Sequence, residues 1–267
     1  MNALGSFLVD KYQGDSASVL EIAPWHNVCF AGDNVEYFDI MDRESSVEKA
    51  EKDPNLAKLL ELRAGIPFYG FPYVHHVNKH GDLSQINKKY NLVFSSHVVE
   101  HTLCLVRHLN QVYDLLYDGC YYVLVLPDKR YCLDHYIPPS TLGNVLEDFY
   151  LCRKTYSLRT LIHSRLLRTH NDAARHWAGD HGVYNDCRNL AEQETSRWLV
   201  KGSIGEEIKN YLNNSKGFDF HNYQFTPDSF EEMMAYLKKM SYINFGIHEV
   251  IPTQFNELEF AVVLKKE

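Results

Sequence analysis

Residues 90–131 constrain this chain more than any other stretch. Two short apolar runs, at 90–96 and 120–126, are rich in β-branched and aromatic residues, which suits buried strands. Between them Leu105, Val106, Leu109, Val112, Tyr113 and Leu116 recur at helical spacing, with Arg107, Gln111 and Asp114 on the opposite face. Asp118 and Gly119 are expected to end that helix, because glycine accepts a left-handed C-terminal conformation. A strand, a helix and a strand in this order predict a parallel pair with a right-handed crossover.

In open α/β sheets, ligands bind beyond the carboxyl ends of the strands. Those ends carry Ser95, Ser96 and His97 after the first run, and Asp128, Lys129, Arg130 and Tyr131 after the second. Polar and titratable residues are therefore concentrated where such a fold places a site. As ordinary loop residues they would look the same.

The 267 residues hold one large domain or two small ones, and an apolar fraction of 45% is ample for a core. A net charge of −8 without a basic block disfavours a nucleic-acid partner. Cys29, Cys104, Cys120, Cys132, Cys152 and Cys187 form no Cys-x-x-Cys pair, so reduced thiols in a cytoplasmic protein are expected. The opening residues lack the pattern of a signal peptide. No apolar run approaches the ~20 residues that cross a bilayer, so no membrane partner is expected.

Further strands are predicted at 19–23, 35–40, 73–77, 245–251 and 259–264, the last two as an antiparallel pair. A charged, Ala/Leu-rich segment at 43–64 suits a helix, and 67–72 reads as irregular. Thr226 is a candidate N-cap with Pro227 at the first helical position. The helix from there to about Met240 would bury Phe230, Met233, Met234 and Leu237. Between 131 and 221 the strand–helix alternation stops, and helical patterns appear at 141–150, 158–168, 190–199 and 204–212. The expected architecture is α/β. A doubly wound, seven-stranded, mostly parallel sheet is formed by 1–130 and 222–267, with a helical insertion at 131–221 as lid and substrate wall.

Asp39, at the end of the second strand and 18 residues after Glu21, either accepts from both hydroxyls of a ribose or is a plain solvated Asp after a strand. Asp82 stands in a turn, where it either accepts from an exocyclic amine such as that of adenine or simply forms the turn. Ala23, Pro24, Trp25, His26, Asn27 and Val28 follow the first strand, where a nicotinamide cofactor would want Gly-x-Gly-x-x-Gly. A Walker loop is equally absent. Hydride and phosphoryl transfer thus lose their best-known binding devices.

Taken together, five segments resemble the Rossmann-type (class I) S-adenosylmethionine-dependent methyltransferases. They are 19–24, 37–39, 81–83, the Ser96-His-Val-Val-Glu-His101 run and the Leu126-Pro-Asp-Lys-Arg-Tyr131 run. A later cluster, His170, Asn171, Asp172 and then Arg175 to His181, is similar to that of a bacterial subgroup met with surface-polysaccharide biosynthesis. The resemblance spans most of the chain and implies S-adenosylmethionine as cofactor. It implies that Glu21, Ala23, Pro24 and Trp25 lie along its methionine part and that Asp39 holds the ribose. Asp82 and Leu83 would flank the adenine, and Ser96 and His97 would face the cofactor below the methyl. Where the family has glycine, this chain has Ala23.

Methyl transfer to a hydroxyl needs an aligned acceptor and a base, and histidine is the usual base near neutral pH. The candidates are His97, His101, His170, His176 and His181. His97 and His101 would share one face if a helix starts there. Asp128, Lys129, Arg130, Tyr131, Asn171, Asp172, Arg175 and His176 are candidate contacts to the acceptor. The cations among them would suit a phosphate, or would pair with nearby Asp. The acceptor expected is small and polar: a sugar, a nucleotide-linked sugar or a phosphate-type group in capsule or O-antigen synthesis. No metal is assigned, because the spacings in 170–181 match no standard zinc pattern. Two alternatives stand: a non-catalytic cofactor-binding partner subunit, and a metal-dependent hydrolase using the His/Asp cluster.

Overall fold

In a computed structural model, residues 3–12, 18–52, 71–183, 204–213 and 219–267 are described. Seven strands form one sheet: β1 (Val19–Ile22), β2 (Val35–Asp39), β3 (His76–Val77), β4 (Tyr90–Ser96), β5 (Leu116–Pro127), β6 (Phe245–Ile251) and β7 (Glu259–Lys266). Their order is β3-β2-β1-β4-β5-β7-β6. The pairings from β3 to β5 are parallel, whereas β7 runs antiparallel to both β5 and β6. The sheet is thus mixed, which corrects the expectation of a mostly parallel one. The final antiparallel pair is present as expected, but β7 inserts between β5 and β6.

Side chains alternate across the sheet because successive Cβ atoms point to opposite faces. Leu20, Val93, Leu124 and Val262 share one core cluster with residues of two helices, α3 (Leu105–Leu115) and α8 (Pro227–Lys239). Val19, Leu92, Phe94, Val123 and Val263 face the other way, where α1 (Ala3–Tyr12) covers them with Leu8. Helices on both faces make this a doubly wound α/β sheet. Phe230, Met233, Met234 and Leu237 of α8 are buried, and Thr226 caps that helix through Ser229 N. The expected helix at 43–64 is seen as α2 (Arg43–Lys52); its remainder lies outside the described residues. So does the helical pattern at 190–199.

The helix after β4 ends differently from expectation. It stops at Leu115, and Leu116 already has extended backbone (φ −92°, ψ 149°). Gly119 does adopt a positive φ of 79°, but inside β5, where the pairing with β4 shifts register between Tyr90 and Leu92. The end of α3 is held instead by Lys266, whose ammonium donates to Tyr113 O and Leu116 O at 3.0 Å each. A cation there satisfies carbonyls that the helix leaves open and complements its dipole.

Between β5 and α8 the described residues form α4 (Leu142–Tyr150), α5 (Leu158–Leu166), α6 (Ala173–Trp177) and α7 (Ile204–Asn213). No strand of the sheet comes from them. Among the described residues no helix is long and apolar enough to cross a membrane.

Candidate active site

The chain leaves β1 toward β2 and β3 on one side, and β4 and β5 lie on the other. The order therefore reverses between β1 and β4, and a crevice is expected at the carboxyl ends of these two strands. Ile22 is in register with Phe38 on one side and Ser95 on the other. The turns after β1, β2 and β4 consequently adjoin.

Glu21, 2% exposed on β1, accepts from Cys29 N at 2.9 Å and Phe30 N at 3.0 Å, folding the chain after the turn back onto the strand. Burial lifts its carboxyl to about 7, although those backbone donors pull the other way. Ala23 and Trp25 both have positive φ, 51° and 44°. The turn thus takes the shape a glycine would favour, without the glycine. Asp39 is buried; it accepts from Ile40 N at 2.6 Å and from the backbone of Met41 and Trp25. Burial raises its carboxyl above the ordinary range. Asp39 thereby ties the ends of β1 and β2 together. Asp82 is exposed and caps the short turn Leu83–Gln85, accepting from Ser84 N at 3.0 Å and Gln111 Nε2 at 2.6 Å. Leu83 behind it is buried.

After β4 the chain makes one 3₁₀ turn, Val99–His101, and then breaks at extended Thr102 before α3. His97 and His101 therefore do not share a helical face, contrary to expectation. They flank the carboxylate of Glu100 instead: His97 Nδ1 is 3.4 Å and His101 Nε2 3.9 Å from its Oε1. Glu100 is 1% exposed, and neither oxygen has a hydrogen-bond partner among the described residues. Burial opposes its charge, but the imidazoles around it prevail and hold the carboxyl below its usual range. His97 Nε2 lies 2.7 Å from Glu259 at the start of β7. Burial disfavours its charged form, yet Glu100 and Glu259 raise it to about 10.

The segment before α8 completes this group. Asn222 N and Tyr223 N donate to Glu100 O at 2.6 and 3.1 Å, and the buried Asp148 of α4 anchors both side chains at 3.0 and 2.9 Å. His221 is thereby set beside His101, ring edge to face with centroids 4.7 Å apart. His101 Nδ1 is 2.8 Å from Asp219, and His221 Nδ1 is 2.6 Å from buried Asp134. Burial opposes the charge on His101, but Asp219 and Glu100 raise it above the ordinary range. Sequence reading missed Glu100, Asp134, Asp219, His221 and Glu259. The one local signal was a carboxylate standing between two histidines after a buried strand.

The remaining candidates cluster farther along. Asp128 is fully buried and binds Arg130 through both oxygens, with Arg130 Nη2 at 2.6 Å; Thr253 Oγ1 adds a bond of 2.7 Å. Lys129 Nζ donates to His135 O at 2.8 Å, and Arg175 meets Asp180 at 2.8 Å. Each cation proposed for an acceptor phosphate thus has an internal partner. Tyr131 stacks on Trp177 at 4.0 Å. Asn171 accepts from Leu133 N, and Asp172 caps α6 through Arg175 N. His170 accepts from Asp172 N at 3.2 Å and donates to Asp180 O at 3.0 Å. His176, 2% exposed, is pushed down to about 4 by burial and so stays neutral; it bonds His181 at 3.0 Å and His170 O at 3.1 Å. His135 stacks on His181 with centroids 3.8 Å apart. The structure brings His97 and His101 together around Glu100, and His170, His176 and His181 together around one another.

A cleft of about 210 Å³ is lined by Ser140, Thr141, Arg159, His163, Asn222 and Gln224, with His221 in its wall. Ile137, Pro138 and Pro139 make its lining mixed.

No protein-family model and no curated protein sequence matches this chain. Among solved structures, one from Rhodobacter sphaeroides described as a Zn-dependent alcohol dehydrogenase is similar at a TM-score of 0.50 and 7% identity, covering 100% of this chain and 90% of that one. The CcbJ methyltransferase from Streptomyces caelestis aligns at a TM-score of 0.45 and 11% identity, over 98% and 94% of the two chains. A S-adenosylmethionine-dependent methyltransferase from Clostridium acetobutylicum aligns at 0.45 and 10%, over 99% and 92%. At 7% identity the likeness with a TM-score of 0.50 bears on the fold alone, the doubly wound α/β sheet described above.

Proposed function

We propose that this chain is a S-adenosylmethionine-dependent methyltransferase acting on a small polar acceptor. The favoured reaction is O-methylation of a sugar, nucleotide-linked sugar or phosphate-type group in surface-polysaccharide biosynthesis. The observation that carries the reading is the switch point between β1 and β4. There the segments that resemble the methyltransferases, 21–25, 39 and 96–101, meet on one edge of the sheet. The left-handed Ala23 supports an intact cofactor turn, which argues against a partner subunit that has lost its turn glycine.

Asp39, Asp82, Leu83, Ser96 and His97 would border the cofactor, and the described residues 131–183 and 219–221 would border the acceptor. The sulfonium is already a strong electrophile, so alignment supplies much of the rate. With the cofactor bound, the acceptor oxygen would form a bond to the methyl carbon as the carbon–sulfur bond breaks, the electron pair staying on sulfur in S-adenosylhomocysteine. The hydroxyl proton passes to the group around Glu100. In its neutral form His101 is the best-placed acceptor of it: Asp219 holds its Nδ1, and its Nε2 faces Glu100 Oε1 at 3.9 Å. The histidines at 170–181 are bonded to one another and to carbonyls, which weakens both their use as a base and the hydrolase alternative.

Calorimetry with S-adenosylhomocysteine tests the reading. Wild type should bind, and Asp39→Ala should bind about tenfold to several-hundredfold more weakly through lost charge-assisted hydrogen bonds. Absence of binding to the folded wild type would overturn the proposal.

A further inference from the structure

We infer that Glu100, His101 and His221 form a site for one divalent transition-metal ion of the zinc type, open toward the cleft that His221 lines. One carboxylate oxygen and one nitrogen from each ring lie within 4.8 Å of one another. Donors around a tetrahedral zinc stand about 3.3 Å apart, so small side-chain rotations close the set. Two histidines and one glutamate with a fourth position open is a ligand set used by catalytic zinc.

Three independent features point to an ion. First, Glu100 is 1% exposed, and neither oxygen makes a well-aligned hydrogen bond among the described residues; the nearest donor, His97 Nδ1, stands 3.4 Å from Oε1. A carboxylate buried in that way is costly unless a cation or donors compensate it. Second, each imidazole has its far nitrogen engaged by a carboxylate: His101 Nδ1 with Asp219 at 2.8 Å, and His221 Nδ1 with Asp134 at 2.6 Å. That is how outer carboxylates orient metal-ligating histidines; they fix the tautomer so that Nε2 presents a lone pair. Third, the ligands come from two segments locked together by backbone bonds, Asn222 N and Tyr223 N to Glu100 O, so the set is preorganised.

A second trio, His135, His176 and His181, also has its nitrogens within 4.8 Å. Hydrogen bonds account for it without an ion: His176 bonds His181 and His170 O, and His135 Nδ1 bonds Arg130 O at 2.8 Å. For Glu100 the nearest such contact is His97 Nδ1, 3.4 Å from Oε1, and it leaves Oε2 without a partner among the described residues.

An ion at Glu100 would coordinate an acceptor oxygen arriving from the cleft and lower its pKa. His101 would then serve as a ligand rather than take the proton. This role rests on the methyl-transfer reading; the site itself does not.

Metal-free, full-length protein titrated with Co²⁺ should develop visible absorption bands at one equivalent, and Zn²⁺ should abolish them. Glu100→Gln and His221→Ala should each weaken Co²⁺ binding at least tenfold, and Asp134→Asn about 10–100-fold, while His135→Ala should bind as wild type does. Circular dichroism reports whether each variant folds. Independently of any variant, Zn²⁺ should raise the melting temperature of the wild type, because binding to the native state alone stabilises it. No Co²⁺ bands and no Zn²⁺-dependent rise in the wild type would overturn the site. So would full binding by folded Glu100→Gln, or loss of binding in folded His135→Ala. Calorimetry with S-adenosylhomocysteine in EDTA separates the two proposals. Failure there with Co²⁺ binding intact defeats methyl transfer and leaves the metal site.

Discussion

His221 Nδ1 lies 2.6 Å from Asp134 Oδ2, across 87 positions of sequence. The same arrangement recurs beside it, where Asp219 meets His101 Nδ1 at 2.8 Å. Two carboxylates thus set the protonation pattern of two adjacent rings, which is the second-nitrogen control that makes imidazole chemistry directional. Both rings face Glu100, and the chemistry proposed above centres on that carboxylate.

His101→Ala should lower the methyl-transfer rate by about 10²–10⁴ while leaving affinity for S-adenosylhomocysteine unchanged. His170→Ala should cost stability more than rate, since both its nitrogens bond backbone. Transfer of labelled methyl to a panel of sugar acceptors, with calorimetry alongside, measures both. A His101→Ala variant with wild-type turnover would remove His101 from the mechanism.

Glu21 gives a pH dependence of stability. Its carboxyl is neutral in both states below pH 4.5, and burial lifts the folded value to about 7. Between these values the unfolded chain releases a proton that the folded chain keeps, so stability falls as pH rises. The loss is complete above about pH 7 and is on the order of 3 kcal/mol. Glu21→Gln lacks this component. Urea midpoints at pH 5 and pH 8 should show the wild type's advantage over the variant shrinking at the higher pH; a constant gap would contradict it.

Ala23→Gly should not destabilise. The left-handed backbone at φ 51° costs alanine roughly 1–2 kcal/mol, against roughly 0.5–1 kcal/mol for glycine's extra freedom when unfolded. A net gain of up to about 1.5 kcal/mol is expected from the denaturant midpoint. A loss of similar size would mean that the Ala23 methyl makes packing contacts worth more than the strain.

Lys266→Met should destabilise by on the order of 1–3 kcal/mol, because two carbonyls at the end of α3 lose their donor. Lys266→Arg should recover part of that. Thermal unfolding of the three proteins decides it, and a Met variant as stable as wild type would show that water replaces the ammonium at no cost.

The local grammar of this chain was readable where it is self-contained. The β4–α3–β5 unit follows from apolar periodicity, and α8 from its capping threonine, its proline and four residues that prove buried. Features set by distant partners were not readable. Gly119 has the conformation expected of it, yet the helix ends earlier because Lys266 returns from 150 residues away to take its carbonyls. The third strand shrinks to His76–Val77 because only Phe38 and Asp39 pair with it at the sheet edge. α1 carries no periodic signal of its own, and Leu8 is buried only once β1, β4 and β5 lie beneath it. The group around Glu100 draws on residues 100, 134, 219 and 221, and no window of sequence contains them together.

The reversed course of β7 has a practical consequence. It begins at Glu259, beside His97 on the proposed catalytic edge, and runs to Lys266 under the far end of α3. Anything joined after residue 267 therefore departs from the side of the sheet opposite the cleft. A fluorophore, a surface linker or a fused protein placed there can be large without obstructing the acceptor. The same graft in the 252–258 connection would sit against Asp128 and Trp177 instead, through Thr253 and Glu257.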